Sequence, residues 1–521
     1  MRTQYLRLKA EQGFTTVVVM GMLLVGMLLV AAAFAASDND TSVARHDQYY
    51  KEAYNAAEAG LNWYYYHLTQ DSNYWQRCTI SGTPLSMAGT AWASMAKATI
   101  PGSEAQYALE LLPANVGGTC SSTSGASIIN PTTGTFRVRS TGSYRGVRRT
   151  VIGTFKRTSF LNFIWFTDYE TNDPVVPRAN LSPSQVAAQC KVHNWPNARP
   201  DNCQDPAFIT GDTLAGPVRS NDEFLFCGSP TFGRAGKNDL LQSQSTSAFY
   251  RACGTGASPT LNSTPQTKVN GLVMPPDNTT LKTHADCVFT GPTHITINGS
   301  SVTITQNGTN VSSTCGSLTN GVIYVQNGTC SNNFTASERY PSGSGCGDVY
   351  VHSGTGSNAA GIDLTIAADN DVIIDGSILR KTGTAAAIGL IANNFVRVYH
   401  PVSLDWHGNC SGNTTPSSGE NAGVGPLTNP EIDAAILSLK HGFIVDNWDC
   451  GDPLGTLKVV GAIAQEYRGT VGTFNSTGVQ SGYLKNYVYD DALRYHDPPF
   501  FLDPVQAGWD IQSETEQVAA H

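Results

Sequence analysis

Two hydrophobic patterns of different character share the first uninterrupted stretch of the chain. Phe14 to Ala36 reads FTTVVVMGMLLVGMLLVAAAFAA, 23 residues without a charge. At 1.5 Å per residue such a helix is about 35 Å long, enough to cross a bilayer. From Ser37 to about Leu68 there is no proline, and glycine occurs only at Gly60. Val43, Tyr50, Ala53, Ala57, Leu61, Tyr64 and Leu68 recur there at spacings of three, four or seven, which marks one face of a helix. No breaker separates the two patterns. The spacing therefore predicts a single helix over 14–70, a membrane span in 14–36 and its amphipathic continuation in 37–70.

Past Gln70 the pattern changes. Residues 71–160 read as a small α/β head, with a strand at Gln106–Leu112 and a hairpin over Thr135–Ile152. In that hairpin Phe136 and Val138 alternate with arginines, and Gly142 and Gly146 mark the expected turn. From 161 to 500 short apolar bursts follow one another without helical patterns between them, among them Gly321–Val325, Asp348–Val351, Ile362–Ile366, Asp371–Ile378, Ile388–Ile391, Phe395–Tyr399, Gly442–Val445 and Leu457–Ile463. Short strands so spaced predict a large β-solenoid-like domain, with a β-sandwich as the alternative. The whole is then an α+β chain. Residues 501–521 read as a C-terminal tail, expected to fray from Glu514 onward.

Composition narrows the class of protein. Only 14% of residues are charged, against about 25% in an ordinary soluble domain. With 32 Lys+Arg and 41 Asp+Glu the net charge is −9, which disfavours DNA as a partner. The one dense basic cluster is Arg137, Arg139, Arg145, Arg148 and Arg149, read as the solvated face of the hairpin. The basic residues Arg2, Arg7 and Lys9 in the 1–13 leader place the N-terminus on the cytoplasmic side and everything beyond Ala36 outside. A secretory signal peptide is the competing reading, with small residues at Ala31–Ala36, but the apolar run exceeds a usual h-region.

The cysteines agree with an outside location. All 12 lie beyond residue 77, and no Cys-x-x-Cys occurs, so zinc and thioredoxin-like redox sites lack their spacing. Disulfides in an oxidising compartment fit better. Pairing of sequence neighbours gives Cys78–Cys120, Cys190–Cys203, Cys227–Cys253, Cys287–Cys315, Cys330–Cys346 and Cys410–Cys450, although spacing by itself leaves connectivity open.

Two motifs carry a resemblance. Lys9-Ala10-Glu11-Gln12-Gly13 followed by Phe14-Thr15 resembles the class III signal of type IV pilins, cut by prepilin peptidase after the glycine. Ala53-Tyr54-Asn55-Ala56-Ala57-Glu58-Ala59-Gly60-Leu61-Asn62 resembles the A-x-x-A-A-E-A-G-L block of PilX-type pilus assembly proteins. The likeness covers roughly residues 7–70. It implies cleavage and methylation at Gly13 and Phe14, and partners among other pilin subunits and the assembly machinery. Filament packing would then involve Phe14, Val18, Met22 and Val25, continued by Ala56, Ala57, Glu58, Gly60 and Leu61. One departure stands out: pilins usually carry Glu at the fifth mature position, which here is Val18, and no acid occurs between Phe14 and Asp38. A charge that would meet a neighbour's amine in lipid is missing. That suits a minor or tip subunit, pointing to a membrane and cell-surface location.

Catalytic patterns are sparse. Glycoside hydrolysis needs paired carboxylates, for which Asp369, Asp371 and Asp375, then Asp446, Asp449 and Asp452, then Asp490 and Asp491 with His496 are the candidates. Their order does not follow polygalacturonase-like enzymes, and turn capping is the simpler role. Asp369-Asn370-Asp371 lacks the rest of a calcium loop, and a metal at His400, His407 and Cys410 conflicts with a bridged cysteine. No Walker, G-x-S-x-G or dinucleotide-binding context is present. The expectation is a non-enzyme without cofactor, either a minor pilin-like subunit or a membrane-anchored adhesin for a surface glycan or protein.

Overall fold

The structure is a computed structural model of the whole chain. It describes residues 14–71, 74–78, 80, 82–113, 120, 128, 135–157, 159–173, 176, 182–195, 199–200, 203–330, 345–384, 386–407, 409–475, 478–494, 496–505 and 509–517. Two compact units result: Met1–Ile128 with Phe136–Phe155 and Ile511–His521, and Ile129–Thr135 with Lys156–Asp510.

The first unit is a helix laid on a sheet. Helix α1 runs unbroken from Phe14 to Gln70. The sheet contains β1 (Leu85–Met87), β2 (Ala98–Thr99), β3 (Gln106–Leu112), β4 (Thr135–Tyr144) and β5 (Val147–Arg157). Its last member is the strand Trp509–Gln517, which lies beside β5. β3 and β4 are antiparallel, with Leu109 opposite Ser140 and Leu111 opposite Val138. The hairpin turns at Arg145 (φ 46°) and Gly146 (φ 84°). Two successive left-handed residues make a type I′-like turn, whose twist matches the strands. Gly142, expected in the turn, instead sits inside β4.

Its reason for being glycine is the helix. A Cβ at Gly142 would stand 2.0 Å from the carbonyl oxygen of Ala53 and 2.5 Å from the amide of Ala57. At Gly60 the same atom would meet Ser140 Oγ at 2.2 Å. Small residues on both surfaces let backbone approach backbone, and Ala53, Ala56, Ala57, Leu61, Tyr64 and Leu68 are buried in that contact. Tyr64 is held edge-on by Phe136 and Phe155. Cys78–Cys120 is the disulfide of this unit.

The second unit is built from parallel strands stacked in register, which sets it apart from a sandwich of antiparallel sheets. Along one face the equivalent positions are Cys287, Ile323, Ile366, Leu390, Ile436, Ile463, Trp165, Val218 and Leu241. All nine belong to one buried cluster. The alternate residues of the same strands, among them Tyr324, Ile391, Leu437 and Phe166, are buried in a second cluster. Strands covered on both faces read as continuous apolar runs, which is why the bursts lack alternation. A second face stacks Ile295, Val351, Ile374, Val398 and Val445. A third stacks Ile432, Val459, Tyr487, Leu214, Phe232 and Leu261.

The stacking order differs from the sequence order. The strand Trp165–Tyr169, first in this unit, lies between Pro453–Tyr467 and Val218–Ser220. The interior near it is ionic: Arg468 Nη1 meets Glu170 Oε2 at 2.9 Å with both side chains fully buried, and its guanidinium lies 3.6 Å from the Phe208 ring centre. Five disulfides belong to this unit: Cys190–Cys203, Cys227–Cys253, Cys287–Cys315, Cys330–Cys346 and Cys410–Cys450. With Cys78–Cys120, each cysteine is joined to its neighbour in sequence.

The end of the C-terminal tail is a correction. Residues 514–517, where fraying was expected, complete the strand Trp509–Gln517, and Glu516 accepts a hydrogen bond from Tyr50 and pairs with Arg149 at 3.3 Å.

Candidate functional site

The first candidate is the N-terminal half of α1. It is the one helix among the described residues long and apolar enough to cross a membrane, and none of its Thr16–Ala33 window is buried. Val18, Met22 and Val25 are exposed. A continuous apolar surface of that length in water would carry a large hydrophobic penalty, so it needs a cover. The helix begins at Phe14; the Phe14 side chain and Gly13 lie outside the described residues.

The expected continuation of that packing surface is different in the structure. Ala56, Ala57, Gly60 and Leu61 are buried against β3, β4 and β5 of their own unit. Side chains already enclosed within the chain have no surface left to offer a neighbouring copy. Glu58 is half-buried. Three arginines of the hairpin are likewise engaged within the unit. Arg139 pairs with Glu110 at 3.2 Å, Arg145 with Glu104 at 3.1 Å, and Arg149 lies over the Tyr50 ring at 3.3 Å.

The carboxylates singled out in the sequence are mostly structural. Asp369 accepts from the Tyr324 hydroxyl and from the Asn327 amide. Asn370 donates to Asp348 at 2.6 Å, and Asp371 accepts from the Phe395 amide at 2.9 Å. These contacts tie one rung to the next. Asp375 holds His352 at 2.8 Å, and Asp490 and Asp491 pair with Arg380 and Arg234. His496 meets Asp363, while Asp449 and Asp452 are exposed. Cys410 is bridged, and His400 hydrogen-bonds with Asn413 and the Asp446 carbonyl. No group of three metal-ligating side chains occurs among the described residues.

One cluster went unnoticed in the sequence. On the second face of the stack, the positions next to the inward column are His294, Tyr350, Ile373, Arg397 and Ile444, aligned rung on rung. Arg397 is buried between Asp371, 3.2 Å from Nε, and Asp446, 3.2 Å from Nη1. Burial pushes the Asp371 carboxyl up to about 7 against the pull of Arg397. It also raises Asp348 and Asp446. The excursion 399–424, tied near its middle to Cys450 by the Cys410–Cys450 disulfide, contributes the facing residues. A cleft of about 290 Å³ between them is lined by Tyr350, Arg397, Tyr399, Glu420, Asn421 and Asn447, among others. Glu420 reaches across to His294 at 3.2 Å, and His294 stacks on Tyr350 at 4.5 Å. The available signal was a lone Arg397 inside the apolar burst Phe395–Tyr399, since a buried charge needs partners.

No family model matches this chain, and no curated protein matches it. Among solved structures, the competence-associated pilin ComZ from Thermus thermophilus aligns with 90% of this chain and 98% of its own at 12% identity, with a TM-score of 0.28. So loose a superposition carries no argument about fold or function.

Proposed function

We propose that this protein is a minor pilin-like subunit, held in a membrane through Thr16–Ala33 before it joins a type IV pilus-like filament. The observation that supports the reading is the division of labour along α1. One unbroken helix is exposed and apolar in its first half and sealed to an antiparallel sheet in its second. A helix so built can exchange lipid for the apolar flanks of neighbouring subunits while the sheet unit stays folded. Packing between copies then falls to Phe14, Val18, Met22 and Val25, because the Ala56–Leu61 block is committed to its own sheet. The β-rich unit serves as a solenoid-like display domain outside the cell, without catalytic activity or cofactor. Prepilin peptidase and the pilus assembly machinery are the partners this reading requires.

The test is the mature N-terminus of protein purified from membranes and filaments of the producing cell. Intact mass and N-terminal sequencing should give a start at Phe14, N-methylated. A start near Ser37, or an uncut Met1, would overturn the reading.

A further inference from the structure

We infer that the cleft beside Arg397 is a binding site for one neutral sugar residue of a surface glycan. Its charged groups are already occupied: Asp446 and Asp371 hold Arg397, and Glu420 holds His294. What remains without a partner among the described residues is uncharged. Asn421 is 7% exposed and lines the cleft, and neither its amide oxygen nor its amide nitrogen has a hydrogen-bond partner among the described residues. Asn447 Oδ1 is also unpartnered and buried, although its amide nitrogen donates to the His400 carbonyl at 2.7 Å. Buried polar atoms left unpaired forfeit their hydration without compensation, so a fold that keeps them needs a reason.

A planar amide with a free donor and a free acceptor complements a group offering both, such as a pair of ring hydroxyls or an acetamido group. The rest of the lining suits the same occupant. Tyr350 and Tyr399 supply aromatic surface, while Val402 and Leu404 supply an apolar wall for ring C–H groups. Two residues past Leu404, Trp406 is 88% exposed, the kind of flat apolar surface on which a second sugar can rest. The volume lies at the lower end of ligand pockets, about 300–1,000 Å³, which suits one ring. Charge selects further. Of the acidic and guanidinium side chains lining the cleft, Asp446 and Glu420 outnumber Arg397, so a uronate or sialate would meet unfavourable potential. An ammonium group would find each of the lining carboxylates, Asp446 and Glu420, already paired. The inference is independent of how the chain is anchored.

Saturation-transfer NMR on the full chain, in a detergent without a sugar headgroup, tests it. The probes are glucose, galactose, mannose, N-acetylglucosamine and N-acetylgalactosamine, with glucuronate and sialic acid as anionic counterparts. At least one neutral sugar should show transfer, and each anionic counterpart should bind about tenfold more weakly or worse. Asn421→Leu should weaken binding about tenfold or more while leaving thermal stability equal or higher, since it deletes two unpaired polar atoms at similar volume. Asn447→Ala supplies an independent second variant. The proposal fails if no neutral sugar shows transfer, if a uronate binds as well as its neutral parent, or if both variants bind like wild type.

Discussion

Replacing Gly142 with alanine puts the helix-on-sheet architecture to its sharpest test. The added Cβ would sit 2.0 Å from the carbonyl oxygen of Ala53 and 2.5 Å from the amide of Ala57, whereas real Cβ atoms essentially never come within 3.0 Å of such atoms. Both obstacles are helix backbone, so no rotamer change relieves them. Helix and strand must separate by about 1 Å, a gap that forfeits roughly a quarter to a half of each dispersion contact. The contacts at stake are those of Ala53, Ala56, Ala57, Leu61 and Tyr64. Overpacking costs about 1–3 kcal/mol, occasionally more, and a rigid backbone clash belongs at the upper end. Gly60→Ala is the internal comparison. There the nearest atom is Ser140 Oγ at 2.2 Å, a hydroxyl that can rotate away, although Tyr107 stands at 2.9 Å. Alanine also gains about 0.5–1 kcal/mol of helix propensity over glycine. Hydrogen exchange on the full chain in micelles reads the outcome in peptides covering 53–68 and 135–144. A loss of about 3 kcal/mol accelerates their exchange roughly a hundredfold, and Gly60→Ala should cost about 1 kcal/mol or less. Unchanged protection in Gly142→Ala, or a larger effect in Gly60→Ala, would refute the packing argument.

Other outcomes follow from the same structure. Arg468→Met leaves Glu170 buried without its guanidinium and should cost about 3–5 kcal/mol by urea denaturation, whereas adding Glu170→Gln, which keeps an acceptor for Trp165 Nε1, should recover most of it. The β-rich unit should gain stability as pH falls from about 8 to about 6, read as a rising denaturation midpoint. His352 is raised by its hydrogen bond to Asp375; burial lowers His441, but Asp173, Asp371 and Glu466 together outweigh it and the net shift is upward. Histidines raised above 6.5 stabilise below that pH and lose the contribution as pH rises through their folded values. Asp371, raised by burial from 3.8 to about 7, binds a proton in the folded state first, so its protonation adds stability in the same direction. A midpoint that falls on acidification across this window would contradict the assignment. Deleting 511–521 removes Glu516 from Tyr50 and Arg149 and uncovers the edge of β5, so exchange in residues 147–157 should quicken while the β-rich unit is unaffected.

How far the sequence discloses this fold depends on the range of the interaction. The helix was legible because its period is local: Ala53, Ala57, Leu61, Tyr64 and Leu68 lie on one buried stripe. What covers that stripe was not legible. Alanine and glycine announce a close approach but not the approaching surface, and the partner turned out to be Gly142, some eighty residues away, in place of another copy. The apolar bursts do become strands. Their order escapes because Trp165 stacking beside Ile463 is a choice among many similar rungs. Trp509–Gln517 escaped for the opposite reason: an exposed edge strand needs no apolar alternation, and its Ser-Glu-Thr-Glu run looks like a loose end. The cleft shows the same limit, since Arg397 was visible and Asn421, on a distant excursion, carried no local signal.

Trp509–Gln517 also sets a clock. The strand beside it, β5, ends at Arg157, so nearly all of the β-rich unit, residues 158–508, is synthesised between two adjacent strands of one sheet. At about 5–20 residues per second the interval is roughly 20–70 s, during which α1 and the first five strands exist without their last edge. A chain cut short anywhere in the β-rich unit never closes that sheet. The head's completion therefore reports that translation has passed the β-rich unit, and truncated chains would carry an open strand edge, the feature that invites proteolysis or mispairing.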